Sequence, residues 1–63
     1  MPQHQANILI ADDEVLVRTG FRMILEAEDD FEVLGEASSG TEAVEMARSL
    51  QPEVILMDIR MPG

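Results

Sequence analysis

Three aspartates carry the first chemical signal in this sequence. Asp12 and Asp13 stand side by side directly after the apolar run Ile8 to Ala11, and Asp58 directly follows a second apolar run, Val54 to Met57. Taken singly, an acidic pair before a helix is a cap and an aspartate at a strand end is a turn former. Brought into one crevice with only Arg60 as a basic neighbour, the three would repel one another, and a divalent cation is the natural remedy. Mg2+ suits such a set because it takes hard oxygen ligands, keeps several waters and needs only one or two protein carboxylates directly. An aspartate held beside such an ion can also act as a nucleophile toward a phosphoryl group. Asp58 is the better placed for that role, since the end of a strand fixes its direction. Asp12 and Asp13, at the mouth of a helix, suit ligation.

The elements around these residues decide whether they meet. Asn7 to Ala11 reads as a strand, apolar at successive positions as in a parallel strand buried on both faces. From Glu14 to about Glu28 the spacing turns helical, with Val17, Phe21, Ile24 and Leu25 on one stripe and Asp12 or Asp13 available to cap its start. Phe31, Val33, Gly35 and Ala37 then alternate with Glu32, Leu34 and Glu36, the pattern of an edge strand whose charges discourage foreign pairing. Ser39 and Glu42 form a capping box for a second helix that runs to about Leu50. Pro52 ends it, and Glu53 to Asp58 reads as a third strand, with Val54, Ile55, Leu56 and Met57 expected to be buried on both faces. Met23, Met46 and Met57 read as core filler. Residues 1–6 read as a disordered tail and residues 7–63 as the folded segment.

Alternating strands and helices at this spacing imply a parallel sheet with right-handed crossovers, an α/β architecture. The two doubly apolar strands belong side by side with the charged strand outside, in the order 2-1-3, and the helices then lie on opposite faces. In such sheets ligands bind at the carboxyl ends of the strands flanking the point where the order reverses. Here that point lies between strands one and three, and it gathers Asp12, Asp13 and Asp58.

Composition narrows the partners. The 63 residues carry thirteen acidic and four basic side chains, for a net charge of −9, and the four basic ones are Arg18, Arg22, Arg48 and Arg60. That balance disfavours direct binding to nucleic acid or an anionic membrane and favours cations and basic partners. No apolar run approaches the roughly 20 residues of a membrane span. The amino-terminal residues lack the pattern of a secretory signal and there is no cysteine, so the cytoplasm is the expected compartment.

Ile8-Leu9-Ile10-Ala11-Asp12-Asp13-Glu14, Gly35-Glu36-Ala37 with Gly40-x-Glu42-Ala43, and Leu56-Met57-Asp58-Ile59-Arg60-Met61-Pro62-Gly63 together resemble the receiver domain of bacterial two-component response regulators. The likeness spans Asn7 to Gly63. Leu16-Val17-Arg18-Thr19-Gly20-Phe21 most resembles the NarL/FixJ subclass, which carries a LuxR-type helix-turn-helix output domain. The resemblance implies the amino-terminal half of a flavodoxin-like doubly wound sheet. It implies that Asp58 accepts a phosphoryl group from a sensor histidine kinase and is not part of an enzyme acting alone. It further implies that Asp13 ligates Mg2+ directly, that Asp12 acts mainly through water, and that the backbone carbonyl of Arg60 completes the protein ligands. Met61, Pro62 and Gly63 would shape the loop beside the acceptor, and any DNA binding would reside in an output domain outside this segment.

The family also uses a hydroxyl residue and a lysine from two later strands to contact the phosphoryl group, and this sequence contains no lysine. The expectation is that the segment binds the metal, is phosphorylated inefficiently by itself, and leaves its third strand as an open edge that favours a homodimer or larger self-assembly. Two other readings compete. A Mg2+-dependent phosphohydrolase with an aspartyl nucleophile would separate its first two aspartates by one residue, whereas here they are adjacent. A purely structural, self-assembling half-domain would use the carboxylates only as caps and turn formers.

Overall fold

The computed structural model describes residues 5–58. Its elements are β1 (Ala6–Ala11), α1 (Val15–Glu26), β2 (Phe31–Ala37), α2 (Gly40–Leu50) and β3 (Val54–Met57). The three strands are parallel in the order β2-β1-β3, as expected. The first strand begins at Ala6, one residue earlier than the expected Asn7, because the Ala6 N–H donates to the Asp30 carbonyl at 2.8 Å.

Pleat alternation assigns the two helices to opposite faces. Leu9, Gly35 and Ala37 turn toward α2, where a Cβ placed on Gly35 would lie 2.5 Å from Met46 Cε and 3.4 Å from Leu50 Cδ1. A side chain there would have to push the flexible end of Met46 aside, so glycine suits the close seating of Met46 on the sheet. Ala11, Ala37 and Ala43 form the buried cluster on this side, with Met46 against it. Ile10 and Glu36 turn toward α1. The parallel register slips between Ile8 and Leu9, where Val33 and then Gly35 are the partners and Leu34 is the extra residue.

The caps differ in detail from their expected form. Ser39 Oγ accepts the Glu42 N–H at 3.1 Å, but the Glu42 carboxylate reaches back to Ser38, taking its N–H at 2.6 Å and its hydroxyl at 3.1 Å. That backbone donor holds the Glu42 carboxyl below its ordinary pKa. At the other end Gln51 adopts a left-handed conformation (φ 51°), closing α2 before Pro52 turns the chain into β3. Helix α1 stops at Glu26, two residues short of the expected end, and its N-cap Glu14 makes no side-chain cap.

Burial corrects three expectations. Helix α1 has no buried residue, and Phe21 and Ile24 of its apolar stripe are exposed. In β3, Val54, Ile55 and Met57 are 42%, 40% and 46% exposed, so only Leu56 is half-covered. The apolar pattern of a central strand is present, but among the described residues β3 pairs only with β1. Met23 and Met57 are likewise exposed, leaving Met46 as the one of the three methionines packed against the core. Among the described residues no helix is long and apolar enough to cross a membrane.

Candidate metal and phosphoacceptor site

Backbone hydrogen bonds carry the strands' ladder into the acidic turn. The Asp12 N–H donates to the Ala37 carbonyl at 3.0 Å, and the Asp58 N–H donates to the Ala11 carbonyl at 3.0 Å. Both aspartates therefore leave the sheet at the same level, either side of the point where the strand order reverses. Asp12, Asp13 and Asp58 each offer a carboxylate oxygen, and these oxygens lie within 4.8 Å of one another. The sequence-level expectation that these three share a crevice is met. Arg60, Met61, Pro62 and Gly63, the other residues expected at the site, lie outside the described residues.

The three carboxylates differ in surroundings. Asp12 is buried, Asp13 exposed and Asp58 half-buried. Neither member of the acidic pair caps α1 in the expected way. Instead Asp12 Oδ1 accepts the Glu14 N–H at 2.9 Å, closing an Asx turn ahead of the helix. The donor set fits a hard cation: all the ligand atoms are carboxylate oxygens, and the exposure of Asp13 leaves room for coordinated water. Beside the cluster a cavity of about 370 Å3 opens between α1 and β3, with Ile10, Val17, Phe21 and Leu56 as its apolar wall and Asp12 and Asp58 on its lining.

A network that the hydrophobic pattern does not announce borders the turn. Arg18 Nε donates to Glu36 Oε1 at 3.1 Å, and Arg22 Nη1 donates to Glu36 Oε2 at 2.6 Å. Arg22 also pairs with Glu26 one turn on, at 3.2 Å. Arg18 Nη1 donates to the backbone carbonyl of Asp12 at 2.6 Å. Glu36, read from the sequence as a charge guarding a sheet edge, instead faces α1 and receives two guanidinium groups. The available clue was the i, i+4 spacing of Arg18 and Arg22 opposite a strand glutamate near the switch point.

Arg22 first, and Arg18 with it, hold the Glu36 carboxyl below its ordinary value against the opposing cost of burial. A depressed carboxyl pKa adds stability above the unfolded-state value, and that contribution fades as pH falls through the folded-state value. We expect Glu36→Gln to lose about 1 kcal/mol at neutral pH, the figure being reduced for partial solvent screening. Urea unfolding should show the gap closing as pH drops below the ordinary value of 4.5. An undiminished gap in acid would place the effect in packing.

Comparison with known proteins agrees with this geometry. The family described as the response regulator receiver domain matches residues 8–63. The nitrate/nitrite response regulator protein NarL of Escherichia coli K12 is 44% identical over 61 residues, covering 97% of this chain and 28% of that protein. The transcriptional regulatory protein LiaR of Bacillus subtilis is 52% identical over 56 residues, covering 89% of this chain and 26% of that protein. Among solved structures, the response regulator domain of Thermotoga maritima CheB superposes with a TM-score of 0.91 at 40% identity, covering 95% of this chain and 45% of that one. The chain thus spans about a quarter of the length of these curated relatives.

Proposed function

We propose that this chain, which belongs to the response regulator receiver domain family, is the phosphoacceptor segment of a cytoplasmic two-component signalling protein whose partner is a sensor histidine kinase. The observation that carries this reading is the approach of the Asp12, Asp13 and Asp58 carboxylate oxygens to within 4.8 Å at the carboxyl end of the sheet. Asp58 is the acceptor. One of its carboxylate oxygens attacks phosphorus, the bond from phosphorus to the donor atom breaks, and the donor leaves with the electron pair. The Asp58 N–H bond to Ala11 fixes the backbone from which that carboxylate projects. Asp12, Asp13, Asp58 and the backbone carbonyl of Arg60 would hold Mg2+. When bound, Mg2+ supplies positive charge that offsets repulsion between the carboxylate and the phosphoryl oxygens. The family also brings a lysine to the phosphoryl group, and no lysine lies within these 63 residues.

The response this segment controls is set elsewhere in the protein. NarL and LiaR bear the names of a response regulator and a transcriptional regulator. A 52% identical relative from Methanococcoides burtonii is a protein-glutamate methylesterase/protein-glutamine glutaminase. The alignment with NarL runs over 61 residues and that with the methylesterase over 54, and the names of NarL and LiaR favour control of a DNA-binding output domain. The test is incubation of the chain with Mg2+ and a small acyl phosphate, followed by intact-mass measurement. A small phosphoryl mass gain that disappears in Asp58→Asn, and grows when the rest of a receiver domain follows Gly63, is the expected result. A gain that persists in Asp58→Asn would remove Asp58 from the role.

The side of β3 away from β1 favours a second copy of this chain as a further partner, because Val54, Ile55 and Met57 expose apolar surface on a strand that pairs only with β1 among the described residues. Sedimentation velocity should show dimers growing with concentration, and Ile55→Lys should shift the distribution to monomer. A wild-type chain that stays monomeric at every concentration would contradict this.

A further inference from the structure

We infer that Arg18 is a positioning residue for the acidic turn, acting through the backbone carbonyl of Asp12 to aim the carboxylates at a shared cation. The inference rests on the reading of Asp12, Asp13 and Asp58 as a metal site. The Arg18 side chain is only 15% exposed, less than either of its neighbours Arg22 and Glu36. Its guanidinium is tied at one nitrogen to Glu36 on β2 and at another to the Asp12 carbonyl. The planar fork therefore links a strand of the sheet to the turn with little freedom to swing. The Glu36 oxygen that accepts from Arg18 is Oε1, distinct from the Oε2 that accepts from Arg22, so Arg18 keeps both of its own bonds without Arg22.

The bonded carbonyl belongs to the peptide joining Asp12 to Asp13, and a peptide unit turns as a rigid plane. Holding its oxygen restricts ψ of Asp12 and φ of Asp13 together, the two angles that set how the neighbouring carboxylates diverge. The Asp12 N–H bond to Ala37 and the Glu14 N–H bond to Asp12 Oδ1 secure the same residue from its other sides. Arg22 supplies a matched comparison. It carries the same charge and shares Glu36, but its hydrogen bonds go to Glu26 and Glu36 and not to the turn.

Charge and position predict opposite outcomes, which makes the role decidable. A guanidinium acting only as a nearby positive charge weakens cation binding, so its removal would tighten it. A guanidinium that orients the turn strengthens binding, so its removal weakens it. With Mn2+ as probe and calorimetry as readout, we expect Arg18→Met to bind about tenfold more weakly, the scale seen when outer partners of metal ligands are removed. Arg18→Lys should not restore affinity, because an ammonium cannot span Glu36 and the Asp12 carbonyl as a fixed fork. Arg22→Met should lose stability yet bind Mn2+ as the wild type does.

Hydrogen exchange of the metal-free chain gives a readout independent of the ion. The Glu14 amide should exchange faster in Arg18→Met and Glu36→Gln than in Arg22→Met, relative to the β1 amides of each variant. Unchanged or tighter Mn2+ binding in a folded Arg18→Met, with the Glu14 amide still protected, would overturn the inference. Should Arg18→Met not fold, Glu36→Gln carries the same comparison, since it keeps the arginine and replaces its charged anchor by a weaker, neutral acceptor. Absence of Mn2+-induced broadening at Asp12, Asp13 and Asp58 in the wild type would overturn the metal-site reading instead, and the Glu14 exchange would still decide what Arg18 holds.

Discussion

In metal-free buffer Asp13→Asn should melt above the wild-type chain, and in saturating Mg2+ it should melt below it. Without a cation, each pair of unit charges about 5 Å apart costs about 1 kcal/mol even with water-like screening. Asp13 shares such distances with both Asp12 and Asp58. Removing its charge relieves both repulsions, and because Asp13 is exposed the amide leaves no buried group unsatisfied. With Mg2+ the sign reverses. A ligand present at a hundred times its dissociation constant stabilises the folded state by about 2.7 kcal/mol. In a domain this small that amounts to a rise of roughly 10 °C or more in Tm. Asp13→Asn forfeits most of this by losing a charged ligand. Because the chain has no tryptophan or tyrosine, far-UV circular dichroism is the suitable monitor. A wild-type Tm indifferent to Mg2+, or an equal gain in both proteins, would show that the three carboxylates do not act on one ion.

The parts of this fold visible in the sequence are those set by short-range pattern. Ile8 to Ala11 announces its strand by an unbroken apolar run and Phe31 to Ala37 by alternation, and handedness then leaves few ways to connect them, which is why the meeting of Asp12, Asp13 and Asp58 could be read without coordinates. What escaped depends on which neighbour covers which face. Val54 to Met57 has the composition of an interior strand, but composition cannot report that only β1 pairs with it among the described residues. The Arg18–Glu36–Asp12 link escaped for a related reason. It joins residues 18 apart on one side and 6 apart on the other, and one of its acceptors is a backbone carbonyl, which no side-chain pattern marks. The same holds for Glu42, whose carboxylate goes to Ser38 where the capping box points to Ser39.

Leu9→Ala should leave the chain largely unfolded at room temperature, whereas Leu16→Ala should leave its stability almost unchanged. Leu9 is fully buried in the central strand and Leu16 on α1 is 82% exposed, so the two substitutions remove the same atoms from opposite environments. Truncating a buried leucine costs about 2–5 kcal/mol, through lost transfer energy and the cavity left behind. A core of this size supplies no more than about 3–5 kcal/mol of net stability, so the substitution consumes most of it. Collapse of the neighbours cannot recover much, because Gly35 contributes no side chain to the space beside Leu9 and Met46 already fills the gap over that glycine. Urea titration followed by circular dichroism separates the cases: Leu16→Ala should keep the wild-type midpoint within error, and Leu9→Ala should show no folded baseline. A Leu9→Ala chain that still unfolds cooperatively near the wild-type midpoint would mean that β1 is not the structural centre. The consequence reaches the site, since the strand that buries Leu9 and Ile10 also supplies the Ala11 carbonyl that holds Asp58 and leads directly into Asp12. Losing that strand's packing therefore disperses the carboxylates, and Mg2+ saturating for the wild type should restore Leu9→Ala only in part, because binding must first repay the cost of refolding.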